Sequence, residues 1–223
     1  MMKMKREDNL TDMAEDYIAV IYRLYEKKNT RVKISELTKY IPSSPSTITE
    51  MIQRLAAKKY LEYEPFKGVK LSQKGVKLAE KILRRHRIIE RFLTDILDLN
   101  PADAHIEACK LEHSVSPVIE EKLYQVLHKP ATCPHGNEID TRIKEQRLVD
   151  MYSLDVNEKA VIKKFLDERE EVLKSIYSLG LKIGEIFKIT SKDEHRILVN
   201  LENRKPTLLD RRLAETILVE KII

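Results

Sequence analysis

Apolar residues recur every three or four positions through the first 128 residues of the chain, and this period predicts amphipathic helices. Beyond about residue 150 the apolar residues stand in short runs that are typical of strands. The expected helices cover residues 11–26, 31–41, 43–58, 72–99, 101–113 and 118–128. The pattern therefore predicts a mainly α chain that ends in a small β domain.

The second and third predicted helices are joined by a tight turn, and two short predicted strands, 60–64 and 69–72, follow them. This order is typical of a winged helix-turn-helix, in which hydroxyl side chains at a helix N-terminus reach DNA phosphates and base edges. An ordinary surface helix and a plain hairpin give the same pattern. The candidate DNA-binding residues are Arg31, Lys33, Ser43, Ser44, Ser46, Thr47, Thr49, Glu50, Arg54, Lys67 and Lys70.

The segment from His105 to His113 concentrates side chains that bind metals. Asn100 can cap a helix whose first residue is Pro101. At about 100° per residue, one arc of that helix carries the four candidate ligands His105, Cys109, Glu112 and His113. The alternative interpretation is structural, with Cys109 as a small buried apolar residue and the polar residues partly solvated.

A second pair of candidate ligands favours the metal interpretation. His86 and Glu90 stand four residues apart on the long predicted helix, where they can hold one ion. If the chain reverses at Leu99 and Asn100, His105 comes to lie against them. Cys133 and His135 are further candidates, but the density of Pro and Gly around them favours a rigid turn.

The long predicted helix, 72–99, carries more apolar surface than one small domain needs, which suggests a dimer face. Its Arg84, Arg85 and Arg87 are interpreted as a solvated stripe. Four domains or segments are expected: a winged helix-turn-helix, a helical dimerisation and metal-binding domain, a linker, and a small barrel-like β domain. Their predicted bounds are 1–72, 73–140, 141–149 and 150–223.

The composition restricts the partners and the cellular compartment that we expect for the protein. The 223 residues carry a formal charge of +5, which is compatible with nucleic-acid binding without requiring it. Two cysteines cannot form a disulfide framework, and a reduced compartment suits the thiol among the candidate ligands. Neither a long apolar run nor a signal-peptide core occurs, so we expect a cytoplasmic protein without a membrane span.

Several motifs resemble the diphtheria-toxin-repressor and manganese-transport-regulator family of metal-dependent transcriptional repressors, and the resemblance covers nearly the whole chain. The motif from Glu107 to His113 is the most distinctive. The other matching segments are Glu15–Ile18, Arg85–Arg87, Glu90–Arg91, Leu93–Asp95, Cys133–Asn137, Tyr177–Gly184 and Ala214–Glu220. The last two resemble the SH3-like, FeoA-type domain of longer members. The resemblance implies a homodimer that binds double-stranded operator DNA.

The resemblance also implies two metal sites. The regulatory site would consist of Asp16, Cys109, Glu112 and His113, and the ancillary site of His86, Glu90 and His105. Longer members add ligands from the SH3-like domain, for which the candidates are Asp167, Glu168, Glu170 and Glu171.

The identity of the metal depends on two departures from the family. Iron-type members have a thioether in place of Asp16, and manganese-type members have a carboxylate in place of Cys109. A thiolate favours Fe(II), Co(II), Ni(II) or Zn(II) over Mn(II), whereas Asp16 favours harder ions. We expect Fe(II), with a Mn(II)-responsive regulator as the alternative. Glu50 replaces an amide of iron-type members, so the operator sequence is expected to differ from theirs.

Two functions from other classes use the same residues. A metallohydrolase would place a His, Glu and Cys set around an ion with an open coordination position. A redox switch would use Cys109 alone. The expected absence of catalysis follows from the winged helix-turn-helix and the lack of a pocket motif, which favour a regulator.

Overall fold

The computed structural model describes residues 10–28, 30–140, 148–201 and 204–222. The chain divides into two compact units, 1–85 and 86–223, and the boundary falls within one helix. No helix in the described ranges combines the length and apolar content that a membrane crossing requires.

The first unit is a helical domain with a two-stranded hairpin. Its elements are α1 (Asp12–Lys28), α2 (Ile34–Leu37), α3 (Pro45–Ala57), β1 (Leu61–Glu64), β2 (Gly68–Leu71) and the first part of α4 (Gln73–Asp95). The apolar positions that gave the helical period form one core, whose fully buried members include Tyr17, Ile18, Ile21, Leu37, Ile48, Ile52 and Leu55.

The helix-turn-helix has the local structure that its sequence predicts. Ser44 caps α3, because its Oγ accepts a hydrogen bond from the backbone N–H of Thr47 at 3.2 Å, and Pro45 occupies the first helical position. The preceding helix is shorter than predicted. Val32 pairs with Val69 of β2, with N to O distances of 2.8 and 2.9 Å, so the chain is extended before α2 begins.

The second unit contains the rest of α4, two further helices and the β domain. Its elements are α5 (Pro101–Leu111), α6 (Pro117–Val126), β3 (Val149–Asp150), β4 (Lys159–Phe165), α7 (Glu170–Ser178), β5 (Ile186–Lys192), β6 (Arg196–Leu201), β7 (Thr207–Asp210), α8 (Arg211–Ala214) and β8 (Ile217–Ile222). The strands form one antiparallel sheet in the order β3-β8-β4-β5-β6-β7. The predicted fold class, mainly α with a small SH3-like β domain, is confirmed.

Helix α5 lies between α4 and the β domain. Ala104 and Ala108 pack with Ile89 and Leu93 of α4, whereas Ala102 joins the core of the β domain. Small residues on α5 allow this close approach on two sides. The side chains of α5 that lie between these contacts are therefore held where α4, α5 and the β domain meet.

The long helix is shorter and more buried than predicted. It ends at Asp95, since Asp98 has a φ of 55° and the Leu99 N–H turns back to the carbonyl of Leu93 at 3.0 Å. Most of its apolar residues belong to the cores. Large apolar side chains are exposed at Ile96 and Leu97 just after it, and at Val118, Ile119 and Val126 on α6.

Candidate metal centre and nucleic-acid interface

His86, Glu90 and His105 meet in the buried junction between α4 and α5. The two α4 residues lie one turn apart, and α5 begins where predicted because Asn100 Oδ1 accepts the Ala102 N–H at 2.9 Å. Glu90 Oε1 lies 2.9 Å from His86 Nε2 and 2.7 Å from His105 Nδ1. The structure therefore brings together the three residues of the predicted ancillary site.

Three residues of the predicted regulatory site continue the same cluster. Glu112 Oε2 lies 2.6 Å from His86 Nδ1, and Cys109 Sγ lies 4.0 Å from His105 Nε2. His113 follows Glu112, with its Nε2 3.7 Å from Glu112 Oε1. Ligands assigned to two different sites from the sequence are thus in direct contact.

His135, a candidate that the sequence analysis set below a rigid turn, also belongs to this cluster. Its Nδ1 lies 3.2 Å from Glu90 Oε1, so that one oxygen atom faces three imidazole rings. The segment is also the predicted rigid turn, since the Gly136 N–H donates to the carbonyl of Cys133 at 3.0 Å. Cys133 extends the cluster, with Sγ 3.9 Å from His135 Nδ1.

The turn is held in place from two sides. On α4, Arg87 donates to the carbonyl of Glu138 and Arg91 Nε to that of Thr132, each at 2.7 Å. On the other side, the Phe165 N–H of β4 donates to the carbonyl of His135 at 2.9 Å. The prediction of a solvated stripe is wrong for Arg87, which is buried because its guanidinium fixes this turn.

The carboxylates raise the pKa values of the buried histidines. Burial alone would lower the pKa of His135, but the charge of Glu90 outweighs burial and raises it to about 10. The pKa of His86 is raised well above its ordinary value by Glu90 and Glu112 against the same cost of burial. The pKa of His105 is also raised, through hydrogen bonds with Cys109 and Glu90.

The acidic groups respond in the opposite direction. Burial would raise the pKa of the Cys109 thiol, but His86 and His105 outweigh burial and lower it to about 6. Burial also works against ionisation of Glu90, yet His86 and His135 hold its pKa well below the ordinary value. The cluster therefore contains a thiolate and a carboxylate at neutral pH, both of which are metal ligands.

The donor set fits a divalent transition metal. Imidazole, thiolate and carboxylate suit ions such as Fe(II) and Zn(II). Glu90 Oε2 and His135 Nε2 are buried polar atoms without a hydrogen-bond partner. Such atoms are costly in a protein interior unless something binds them, and both belong to the cluster. His86, His105 and Cys109 offer ligand atoms that lie within 4.8 Å of one another, as do Glu90, His105 and His135.

Of the four acidic candidates in the β domain, only Glu168 lies with these residues. Its ligand atom is within 4.8 Å of those of Cys133 and His135, and its Oε1 accepts the Asn137 amide at 2.7 Å. Asp167 instead forms a 2.7 Å ion pair with Arg169. The other two form surface ion pairs, Glu170 with Lys174 and Glu171 with Arg169.

Asp16, the remaining residue of the predicted regulatory site, is an exposed residue of α1 in the first unit. Its role as a ligand stays a prediction.

The predicted DNA-binding residues all lie in the first unit. Those on α3 and its cap form a hydroxyl cluster, in which Ser44 Oγ is 2.7 Å from Ser46 Oγ and 2.8 Å from Thr47 Oγ1. Thr49 Oγ1 donates to the carbonyl of Pro45. The exposed residues are Lys33, Ser44, Ser46, Thr47, Glu50, Arg54 and Lys67, and the partly buried ones are Arg31, Ser43, Thr49 and Lys70.

Three family models match the chain in succession. Residues 9–69 match the iron dependent repressor, N-terminal DNA binding domain, and residues 72–141 match the iron dependent repressor, metal binding and dimerisation domain. Residues 149–221 match the FeoA domain.

Individual proteins give the same result. The chain is 38% identical over 120 residues to an uncharacterised HTH-type transcriptional regulator of Methanocaldococcus jannaschii. The matched segment is 54% of this chain and 96% of that protein. It is 33% identical to the iron-dependent repressor IdeR of Mycobacterium tuberculosis over 132 residues, 59% of this chain and 57% of that one. The manganese regulator SloR has a similar solved structure, with a TM-score of 0.79, 26% identity, and coverage of 94% and 98% of the two chains.

Proposed function

Since the chain belongs to the iron-dependent repressor family of metal-dependent, DNA-binding regulators, we propose that it is an Fe(II)-activated repressor that binds a palindromic operator as a dimer. Its regulated genes are proposed to be those of metal uptake. The protein is not an enzyme, and membership of this family removes the metallohydrolase alternative.

The observation that carries the choice of metal is the position of the Cys109 thiol in the buried cluster, where Sγ lies 4.0 Å from His105 Nε2. Cys109 has a pKa of about 6, so it is a thiolate at neutral pH and needs no further activation to bind a metal. Thiolate and imidazole ligands favour Fe(II) over Mn(II). Mn(II) remains the second candidate, because Asp16 is a hard ligand and the manganese regulator SloR shares the fold.

We assign the ligands as the sequence predicts and add one. Cys109, Glu112 and His113 would hold the regulatory ion together with Asp16, and His86, Glu90 and His105 the ancillary ion. His135 joins the ancillary set because its Nδ1 contacts Glu90 and its Nε2 has no partner.

Bound metal would supply positive charge to these carboxylates and the thiolate. Asp16 belongs to the unit that carries the helix-turn-helix, whereas the other ligands belong to the second unit. Metal binding can favour the conformation that binds DNA only if the metal has a higher affinity for that conformation than for the others.

Exposed apolar residues support the homodimer. Ile96, Leu97, Val118, Ile119 and Val126 of the second unit have relative exposures of 51–67%. A contiguous patch of exposed apolar side chains is typical of a protein interface, and we propose that these residues contribute to such a patch. In a two-fold dimer, two copies of α3 would read half-sites about 34 Å apart.

The proposal is tested by selecting binding sites from a library of random duplexes. The purified full chain is equilibrated with the library anaerobically in Fe(II), and in parallel in Mn(II), Zn(II) or chelator. We expect a palindrome to be enriched in metal but not in chelator, with Fe(II) effective at the lowest free concentration. Enrichment of the same sequence in chelator would contradict metal control, and a lower effective concentration of Mn(II) would favour the Mn(II) alternative.

Metal affinity is expected to fall as the pH is lowered from about 8 to about 6. The pKa values of His86, His105 and His135 are raised, so protons must leave these rings when metal binds. Titration calorimetry in buffers of different ionisation enthalpy would measure more than one proton released per metal at neutral pH. Equal affinities across this range, without proton release, would contradict the ligand assignment.

A further inference from the structure

The hairpin of the first unit carries a fully exposed aromatic ring at its tip. Phe66 has a relative exposure of 103%, whereas no other large apolar side chain in the described residues exceeds 67%. Burial of an aromatic side chain is a large source of stability, and Phe66 is not buried in this fold. Its ring is therefore accessible for contact with another molecule.

The backbone displays this ring at a conformational cost. Phe66 has a φ of 64°, in the left-handed region that bulky side chains rarely adopt. The hairpin is anchored next to it: Gly68 has a φ of 104°, and a Cβ there would lie 2.4 Å from the carbonyl oxygen of Val32. Val69 and Val32 pair through both backbone groups. The strand that follows the tip is therefore held against the backbone of Val32.

The cations on and beside the hairpin are already paired. Lys67 Nζ lies 2.9 Å from Glu64 Oε2, and Lys70 Nζ lies 2.9 Å from Glu62 Oε2. Arg31 forms an ion pair with Glu64 and donates to the carbonyl of Glu62. The hydrogen bond with Lys67 and the charge of Arg31 lower the pKa of Glu64, so this carboxylate stays ionised. These pairs weaken the attraction that the three cations would offer to phosphates.

We propose that Phe66 is a DNA-contacting residue that places its ring in the minor groove beside the major groove entered by α3. The inference rests on the proposed DNA-binding function. The hairpin follows α3 directly, and the family model for the DNA-binding domain, residues 9–69, includes its tip. Apolar side chains contact sugars and base steps in the minor groove. Because the cations beside Phe66 are held in ion pairs, a minor-groove contact by its ring sacrifices few phosphate contacts.

The test compares the full chain with its Phe66→Ala and Phe66→Leu variants on the selected duplex, by anisotropy in saturating metal at several salt concentrations. We expect Phe66→Ala to weaken binding about tenfold, the scale of one buried aromatic contact, and Phe66→Leu to weaken it less. The slope of log K against log salt should not change, because no phosphate contact is lost. The control Lys67→Gln should change affinity less than Phe66→Ala does.

The groove is tested by replacing flanking G·C pairs with inosine·C, which removes only a minor-groove amine. Binding of the unchanged protein should respond to this replacement, and binding of Phe66→Ala should not. Wild-type affinity for Phe66→Ala, or a larger loss in Lys67→Gln with a slope reduced by about 0.9, would overturn the inference alone. Absence of metal-dependent DNA binding by the unchanged protein would overturn the proposed function and the inference with it.

Discussion

Replacing Glu90 with glutamine is expected to lower metal affinity by more than about 100-fold and to destabilise the metal-free protein by about 3–5 kcal/mol. One oxygen of Glu90 contacts His86, His105 and His135 at 2.7–3.2 Å, and the residue is fully buried. The glutamine amide has nearly the same shape as the Glu90 carboxylate, but it lacks the negative charge that balances the protonated imidazole rings. Calorimetric metal titration and urea unfolding measure the two effects.

Glu107→Gln is the matched control, because Glu107 is a helical carboxylate whose ion pair with Lys110 lies at the surface. We expect it to change stability by less than about 0.5 kcal/mol. Equal effects of the two substitutions would contradict the role assigned to Glu90.

The pH dependence of stability gives this cluster a second signature. The pKa values of His86, His105 and His135 are raised above the unfolded value of 6.5, so their contribution is complete below that pH. It is lost as the pH rises through the folded values, of which that of His135 is about 10.

Cys109 opposes this trend by one proton, because its pKa is lowered from 9.0 to about 6 and its contribution grows over that interval. The metal-free protein is therefore expected to lose stability between about pH 7 and pH 10, with a smaller loss in Glu90→Gln. A pH-independent midpoint in urea would contradict the ion-paired cluster.

Gly136→Ala is expected to destabilise the protein by about 3 kcal/mol or more and to weaken metal binding. Gly136 has a φ of 83°, and a Cβ on it would lie 1.9 Å from the carbonyl oxygen of Lys163. The turn would have to leave β4, which displaces His135 from Glu90. Thermal unfolding and metal titration of the variant measure the two consequences.

Gly184→Ala is the control that separates the steric clash of a Cβ from the cost of placing alanine at a positive φ. Gly184 has a similar φ of 87°, but a Cβ on it would meet nothing within 4 Å. We expect a cost of about 1 kcal/mol from conformation alone, with unchanged metal affinity. If Gly136→Ala costs no more than this, the close approach of the turn to β4 does not stabilise the site.

Local signals in the sequence were sufficient for most helices. Side-chain caps at Ser44, Asn100 and Ser116, each followed by proline, start α3, α5 and α6 at or within two residues of the predicted positions. Strands β3 and β7 are hard to recognise from the sequence, because two and four residues are too short for an alternating pattern to stand out. The end of α4 was placed too late, since the left-handed Asp98 has no strong sequence signal.

Local sequence signals also predicted part of the cluster around Glu90. The spacing of His86 and Glu90 on one helix placed them together, and reversal at Asn100 brought His105 to them. The position of His135 depends on contacts that are distant in sequence, from Arg87 and Arg91 on α4 and from Phe165 on β4. Proline and glycine identified a turn there, but nothing local showed what the turn faces.

The most direct test of metal control is the dissociation constant of the selected duplex, measured by anisotropy at fixed salt with Fe(II) and with chelator. The account predicts that metal tightens binding at least 100-fold in the unchanged protein, and that Asp16→Ala and Cys109→Ala lose this gain while still folding. Equal dissociation constants with metal and with chelator in the unchanged protein would contradict it.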